Sequence, residues 1–179
     1  MALEDYNFVK YDEEKMTHLD RHLEGSVTTG SHFKKGVFPN SKSLIDYALG
    51  SINDYEGKRM VKEVECDKIV GYDSLISLDN LSENIKITRE PRGKNEYLVN
   101  IVEGIDKTPT TDMVIVAGPL DETEHGFYTI FPGKNAPSFP VTREQLVEFG
   151  YEGQGLEDAV KQNKNYKEFW DNHGFVKEK

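Results

Sequence analysis

Residues 112–133 read DMVIVAGPLDETEHGFYTIFPG. Two runs rich in β-branched and aromatic residues, MVIVAG and GFYTIF, flank a turn that begins at Pro119-Leu120-Asp121, which predicts strand, turn, strand. Upstream, the same period of two recurs from residue 59, in RMVKEVECDKIV, ENIKITRE and NEYLVNIVEG. Pro91-Arg92-Gly93-Lys94 supplies a second hairpin turn. GYDSLISLDNLS (71–82) fits a strand or a short helix. No periodic helix of crossover length separates the later strands, so the sheet is predicted to be antiparallel.

Outside this region the period is 3.6. Residues 1–24 read as a lead-in and then a helix with Met16, Leu19 and Leu23 on one face, ending at Gly25 as a C-cap. Residues 25–40, GSVTTGSHFKKGVFPN, are loop-like. A second helix follows, with Ser41 or Ser43 as N-cap and Leu44, Ile45, Ala48, Leu49 and Ile52 as its apolar face. Residues 141–179 are helical again. Thr142 is placed to cap with Gln145 three residues on, and the last helix runs through LEDAVKQNKNYKEFW. The fold class is therefore α+β, with N-terminal helices packed on an antiparallel β-sheet and helices at the C-terminus. Residues 1–140 form the expected main domain, and 141–179 a helical extension packed on it.

A chain of 179 residues suits one ordinary domain. No apolar run approaches the roughly 18 residues of a membrane-spanning helix. The N-terminal MALEDYNFVKYDEEK lacks the apolar core of a secretion signal, so a cytoplasmic protein, or one delivered to a target cell's cytoplasm by another route, is expected. With a single cysteine, Cys66, no intramolecular disulfide forms. The formal net charge of −10 argues against a nucleic-acid partner. Its distribution softens that. Residues 26–62 hold six basic against three acidic side chains, net +3, whereas residues 144–179 hold five against eight, net −3.

The chemistry-bearing residues are histidines. His18 and His22 stand at i, i+4 on the first helix. A zinc protease would need Glu after the first of them, where Leu19 stands, so no metal site is expected. His22 and His32 bracket HLEGSVTTGSH, a loop of small residues. Two histidines on opposite sides of a phosphodiester can serve as base and acid, one taking the ribose 2′-hydroxyl proton and the other protonating the departing 5′-oxygen. A lysine would offset the charge developing on phosphate. In FYTIFPGK, Thr129 and Phe131 share one strand face, Thr129 to hydrogen-bond and Phe131 to stack on a sugar or base. His125 reads as a turn residue, and Phe169 and Trp170 as packing anchors of the last helix.

Three segments taken in order resemble the EndoU-type endoribonucleases: HLEGSVTTGSH, KKGVFPNSKSLIDYALGSI and DMVIVAGPLDETEHGFYTIFPG, spanning roughly residues 17–140. The group includes bacterial toxin domains and, more distantly, the coronavirus uridylate-specific endoribonuclease. The resemblance implies cleavage of single-stranded RNA to 2′,3′-cyclic phosphate and 5′-hydroxyl ends, in a toxin or phage effector. It implies no cofactor, or stimulation by Mn2+, with RNA and a cognate immunity or inhibitor protein as partners. By position His22 and His32 match the catalytic histidines, with His18 a rival for the first. Thr129 matches the substrate-binding Ser/Thr, and Phe131 an aromatic on the substrate sugar; Lys35 and His18 join the expected substrate contacts. The glycine pair before the second histidine is Gly30-Ser31 here. The family lysine belongs on a strand between His32 and the last hairpin. Lys68, Lys86 and Lys94 qualify, and Lys86 is preferred because apolar residues flank it in an alternating strand. The competing reading, from charge alone, is a non-catalytic acidic protein-binding module, an inhibitor or a degenerate nuclease relative.

Overall fold

The computed structural model describes residues 2–24, 30–79 and 81–177. In chain order, a 3-10 turn (Leu3–Tyr6) precedes β1 (Phe8–Val9), α1 (Glu13–Glu24), β2 (His32–Phe33), α2 (Ser41–Ser51), β3 (Met60–Glu65) and β4 (Gly71–Asp73). Then come β5 (Leu75–Ser77), β6 (Lys86–Arg92), β7 (Tyr97–Glu103), β8 (Thr108–Thr110), β9 (Asp112–Pro119) and β10 (His125–Pro132). The last elements are α3 (Arg143–Glu148), α4 (Gly153–Asp171) and β11 (His173–Val176). The fold is α+β. The predicted C-cap at Gly25 lies outside the described residues.

The chain divides into two compact units, Met1–Ser74 with Lys107–Asn135, and Leu75–Asp106 with Ala136–Lys179. The sequence predicts a boundary after residue 140, whereas the units change at 74/75, 106/107 and 135/136. The C-terminal helices, however, share their unit with residues 75–106 instead of forming an extension of everything before them. The ambiguous 71–82 segment straddles the division: it is two short strands, β4 in one unit and β5 in the other.

In the first unit β9 is central, antiparallel to both β10 and β3, and β1 adds to the far side of β10 in parallel. The parallel pairing departs from the purely antiparallel expectation; at two residues, β1 is too short to leave a periodic signal. Met113 through Ala117 are all buried. That is why MVIVA is a continuous apolar run and not an alternating one. Leu19 of α1 and Leu44, Ile45 and Ala48 of α2 pack with Phe33, Met113, Ile115 and Ile130 in one cluster. Burying each large aliphatic side chain contributes about 1.5–3 kcal/mol. The N-cap of α2 is Asn40, one residue before the expected serines; its side chain accepts from Ser43 N at 2.9 Å. Asp12 caps α1, accepting from Lys15 N at 3.0 Å.

A smaller antiparallel sheet, β2-β4-β8, completes this unit. It places His32 on a strand where the sequence suggested loop. Gly71, opposite Phe33, makes the pairing close. A Cβ on residue 71 would stand 2.5 Å from the His32 carbonyl oxygen and 2.9 Å from Phe33 Cα.

In the second unit the sheet order is β5-β11-β7-β6, with β11 parallel to β7 and antiparallel to β5. Trp170 of α4 is buried against Val99 and Ile101 of β7, and its Nε1 donates to Ser138 O at 3.2 Å. The capping box at Thr142 and Gln145 is present as the sequence predicts. Phe169 stacks on His173 at 3.8 Å between ring centroids.

Because backbone atoms occupy the space a methyl would need at residue 71, Gly71→Ala should destabilise the first unit by about 1–3 kcal/mol. Urea unfolding of the variant, monitored by fluorescence, checks this; an unchanged midpoint would show that β2 and β4 are not so closely paired.

Candidate functional site

α1 leans on β10 and β2 because Leu19 and the half-buried Met16 and Leu23 face the core. The i, i+4 spacing puts His18 and His22 side by side on the same helix, ring centroids 5.2 Å apart and nearly perpendicular. His18 Nε2 lies 3.2 Å from Thr129 Oγ1 of β10. A one-residue irregularity in the β9–β10 register between Phe127 and Thr129 precedes that position. Thr129 and Phe131 still fall on one face, as alternation requires.

His22 Nδ1 is 2.7 Å from the carbonyl oxygen of Ser31. A carbonyl only accepts, so Nδ1 carries the proton and Nε2 holds the lone pair when the ring is neutral. Burial pushes the His22 pKa down, the Ser31 carbonyl partly opposes this, and the Lys107 charge pushes it down further. His18 is also lowered, first by partial desolvation and then by the charges of His22, Lys15 and Arg21. Both are therefore neutral at pH 7.

His32 on β2 is gripped from two sides. Its ring packs on Tyr72 of β4 at 5.1 Å between centroids, tilted by 36°. Its Nδ1 lies 3.3 Å from Nζ of Lys107. An ammonium only donates, so His32 Nδ1 accepts and its Nε2 bears the proton. Lys107 is 6% exposed and donates a second bond to Gly30 O at 2.7 Å. It sits immediately before β8, and the β4–β8 pairing carries it beside β2. Behind His32, Ser31 Oγ donates to Asp73 Oδ1 at 3.2 Å and accepts from Ser74 N at 3.1 Å.

The first unit thus gathers His18, His22, His32 and Thr129, with Phe131 on the Thr129 face of β10. It does not gather Lys86. That residue lies on β6, an edge strand of the other unit's sheet, exposed and 3.7 Å from Glu103 Oε2. Its flanking Ile87 is 46% exposed, so the apolar neighbours that recommended it are not a buried face. Lys94 stands exposed in the turn after β6, and Lys68 exposed after β3. Lys35 is exposed in the turn after β2, with no hydrogen bond or ion pair to the histidines among the described residues. Lys107, the lysine beside His32, is not among the residues singled out from the sequence. It lies in the linker EGIDKTPT, which has no period; a lysine next to a Thr-Pro strand start is the only local cue. His125 opens β10, where its Nδ1 meets the Tyr55 hydroxyl, away from Thr129 along the strand.

The group can move protons: one imidazole with a free Nε2 lone pair, one with an Nε2–H, and a buried ammonium. Among the described residues, no cluster of three or more His, Cys, Asp or Glu side chains could hold a metal ion.

No family model matches the sequence, and no curated protein matches it. Among solved structures, a conserved hypothetical protein from Toxoplasma gondii ME49, determined at 2.35 Å, is similar at 9% identity with a TM-score of 0.47. The match covers 78% of this chain and 87% of that chain.

The lowered histidines set a pH window. The unfolded chain protonates them near the ordinary value of about 6.5, before the folded state does. Their contribution to stability is present above that pH and is lost as pH falls below it. The urea midpoint should fall between pH 7.5 and 5.5, and His22→Gln should flatten the fall. Histidine titration by NMR should place His18 and His22 below the ordinary value; either one titrating above it would contradict the assignment.

Proposed function

We propose that the first unit is a ribonuclease that cleaves single-stranded RNA by attack of the 2′-hydroxyl on the adjacent phosphorus. The reading rests on one observation: the neutral His22, its Nδ1 spent on a carbonyl, shares a site with a His32–Lys107 pair. His22 Nε2 takes the 2′-hydroxyl proton. The 2′-oxygen bonds to phosphorus as the P–O5′ bond breaks. His32 Nε2–H faces the departing 5′-oxygen and donates to it, leaving a 2′,3′-cyclic phosphate and a 5′-hydroxyl. The Lys107 ammonium offsets the negative charge on the phosphoryl oxygens. His18 and Thr129 form a polar pair that orients the substrate, with Phe131 beside them for stacking.

The resemblance to EndoU-type enzymes supports this assignment of His22, His32 and Thr129, and Lys107 replaces Lys86 in the lysine role. The net charge of −10 favours an acidic protein-binding module, the competing reading. Against it, the charges that bear on His18 and His22 from outside the pair are the cations Lys15, Arg21 and Lys107. An RNA-binding enzyme needs that local sign, whatever the total. An immunity or inhibitor protein that covers the site belongs to the same proposal. No helix among the described residues is long and apolar enough to cross a membrane.

Incubation with a mixed RNA pool, followed by end analysis, should yield cyclic phosphates. His32→Ala and Lys107→Ala should each reduce kcat/KM by about 10²–10⁴-fold, and Lys86→Ala should leave it unchanged. The acidic limb of the kcat/KM profile should lie below the ordinary histidine pKa, because His22 stays unprotonated there. Full activity in Lys107→Ala would contradict the proposal.

A further inference from the structure

We infer that Asp73 is a positioning residue, which fixes the tautomer of His22 by anchoring Ser31. The role assigned to His22 rests on the transesterification reading above; the tautomer itself does not.

Ser31 works at both ends. Its carbonyl accepts the His22 Nδ1–H at 2.7 Å, while its hydroxyl donates to Asp73 Oδ1 at 3.2 Å. That hydroxyl also accepts from Ser74 N at 3.1 Å and lies 3.3 Å from Ser74 Oγ, and Ser74 is 1% exposed. The peptide that carries the carbonyl is therefore tied to the end of β4. Asp73 is itself held from the other side. Its Oδ2 accepts from Lys134 N at 3.3 Å, in the segment that leaves β10. Gly133, at φ +108°, makes room for it: a Cβ there would stand 2.5 Å from the Asp73 carboxyl carbon. One carboxylate thus links the segment before His32 to the end of the strand that bears Thr129.

A neutral imidazole holds its proton on either nitrogen unless a partner selects one. Among the described residues, the groups that bear on the His22 ring include the Ser31 carbonyl, His18 from its own helix and the charge of Lys107. Of these the carbonyl alone selects the Nδ1–H form, which leaves Nε2 able to take a proton. Releasing the Ser31 side chain lets the peptide plane rotate and the selection lapse. Outer partners that orient metal-ligating histidines in this way typically matter by about 10–100-fold, and a similar scale is expected for His22.

Long-range ¹⁵N–¹H NMR of the full labelled chain at pH 8, where the imidazoles are neutral, reads the tautomer directly. The wild type should show His22 as the Nδ1–H form. Asp73→Ala and Ser31→Ala should convert it to a mixture, with the backbone amide spectrum outside residues 22, 30–33, 73–74 and 133–134 unchanged. Asp73→Asn should keep most of the wild-type signature, because its amide oxygen still accepts from Ser31. Should Asp73→Ala fail to fold, Ser31→Ala against Ser31→Thr decides, since threonine restores the hydroxyl. In cleavage assays, Asp73→Ala should lower kcat by 10–100-fold with KM little changed. A pure Nδ1–H signature in folded Ser31→Ala would overturn the inference. Absence of RNA cleavage by wild type would overturn the nuclease reading instead, and the NMR result decides the tautomer on its own.

Discussion

Lys107 carries its ammonium into a site where it is 6% exposed, to reach the Gly30 carbonyl and the Nδ1 of His32. Burying a charge is costly unless hydrogen bonds replace the lost water. The first unit is arranged to supply them. The β2-β4-β8 sheet holds Lys107 beside His32, and Gly71 lets β2 and β4 approach closely enough for that sheet to form. The same ammonium holds the His32 proton on Nε2 and its charge lowers the His22 pKa. A single cation thus bears on both histidines, selecting the tautomer of one and adding to the burial that lowers the pKa of the other.

The second imidazole is set by a different device. His22 relies on a backbone carbonyl, and that carbonyl relies on Ser31, Asp73 and Ser74. The histidines are held by α1 and β2, two neighbouring elements of the first unit. Core packing at Leu19 and Phe33 brings those elements together. The hydrophobic core and the polar site are therefore coupled: displacing α1 from the core would separate His22 from Ser31.

Much of this was legible in the sequence, for identifiable reasons. Helix faces such as Leu44, Ile45 and Ala48, and the Thr142–Gln145 capping box, are local patterns. The hairpin around Pro119 is a local signal too, since its strands adjoin in sequence. His22, His32 and Thr129 could be named because their neighbours carry motif-like spacing. Lys107 could not be. Its place depends on β4 meeting β8, a pairing of residues 71–73 with 108–110 that no local period announces. Lys86 satisfied the alternation rule, but alternation cannot say to which sheet a strand belongs. The parallel partners β1 and β11 escaped for a related reason: two and four residues are too few to show a period.

Oligodeoxynucleotides that each contain a single ribonucleotide, one for each base, test the central claim most directly. Attack by the 2′-hydroxyl confines cleavage to the 3′ side of the ribonucleotide and leaves a 2′,3′-cyclic phosphate there. Cleavage at that bond with that terminus, lost in Lys107→Ala, is the result the account predicts. Cleavage at a deoxynucleotide, or none on any of the four substrates, would contradict it.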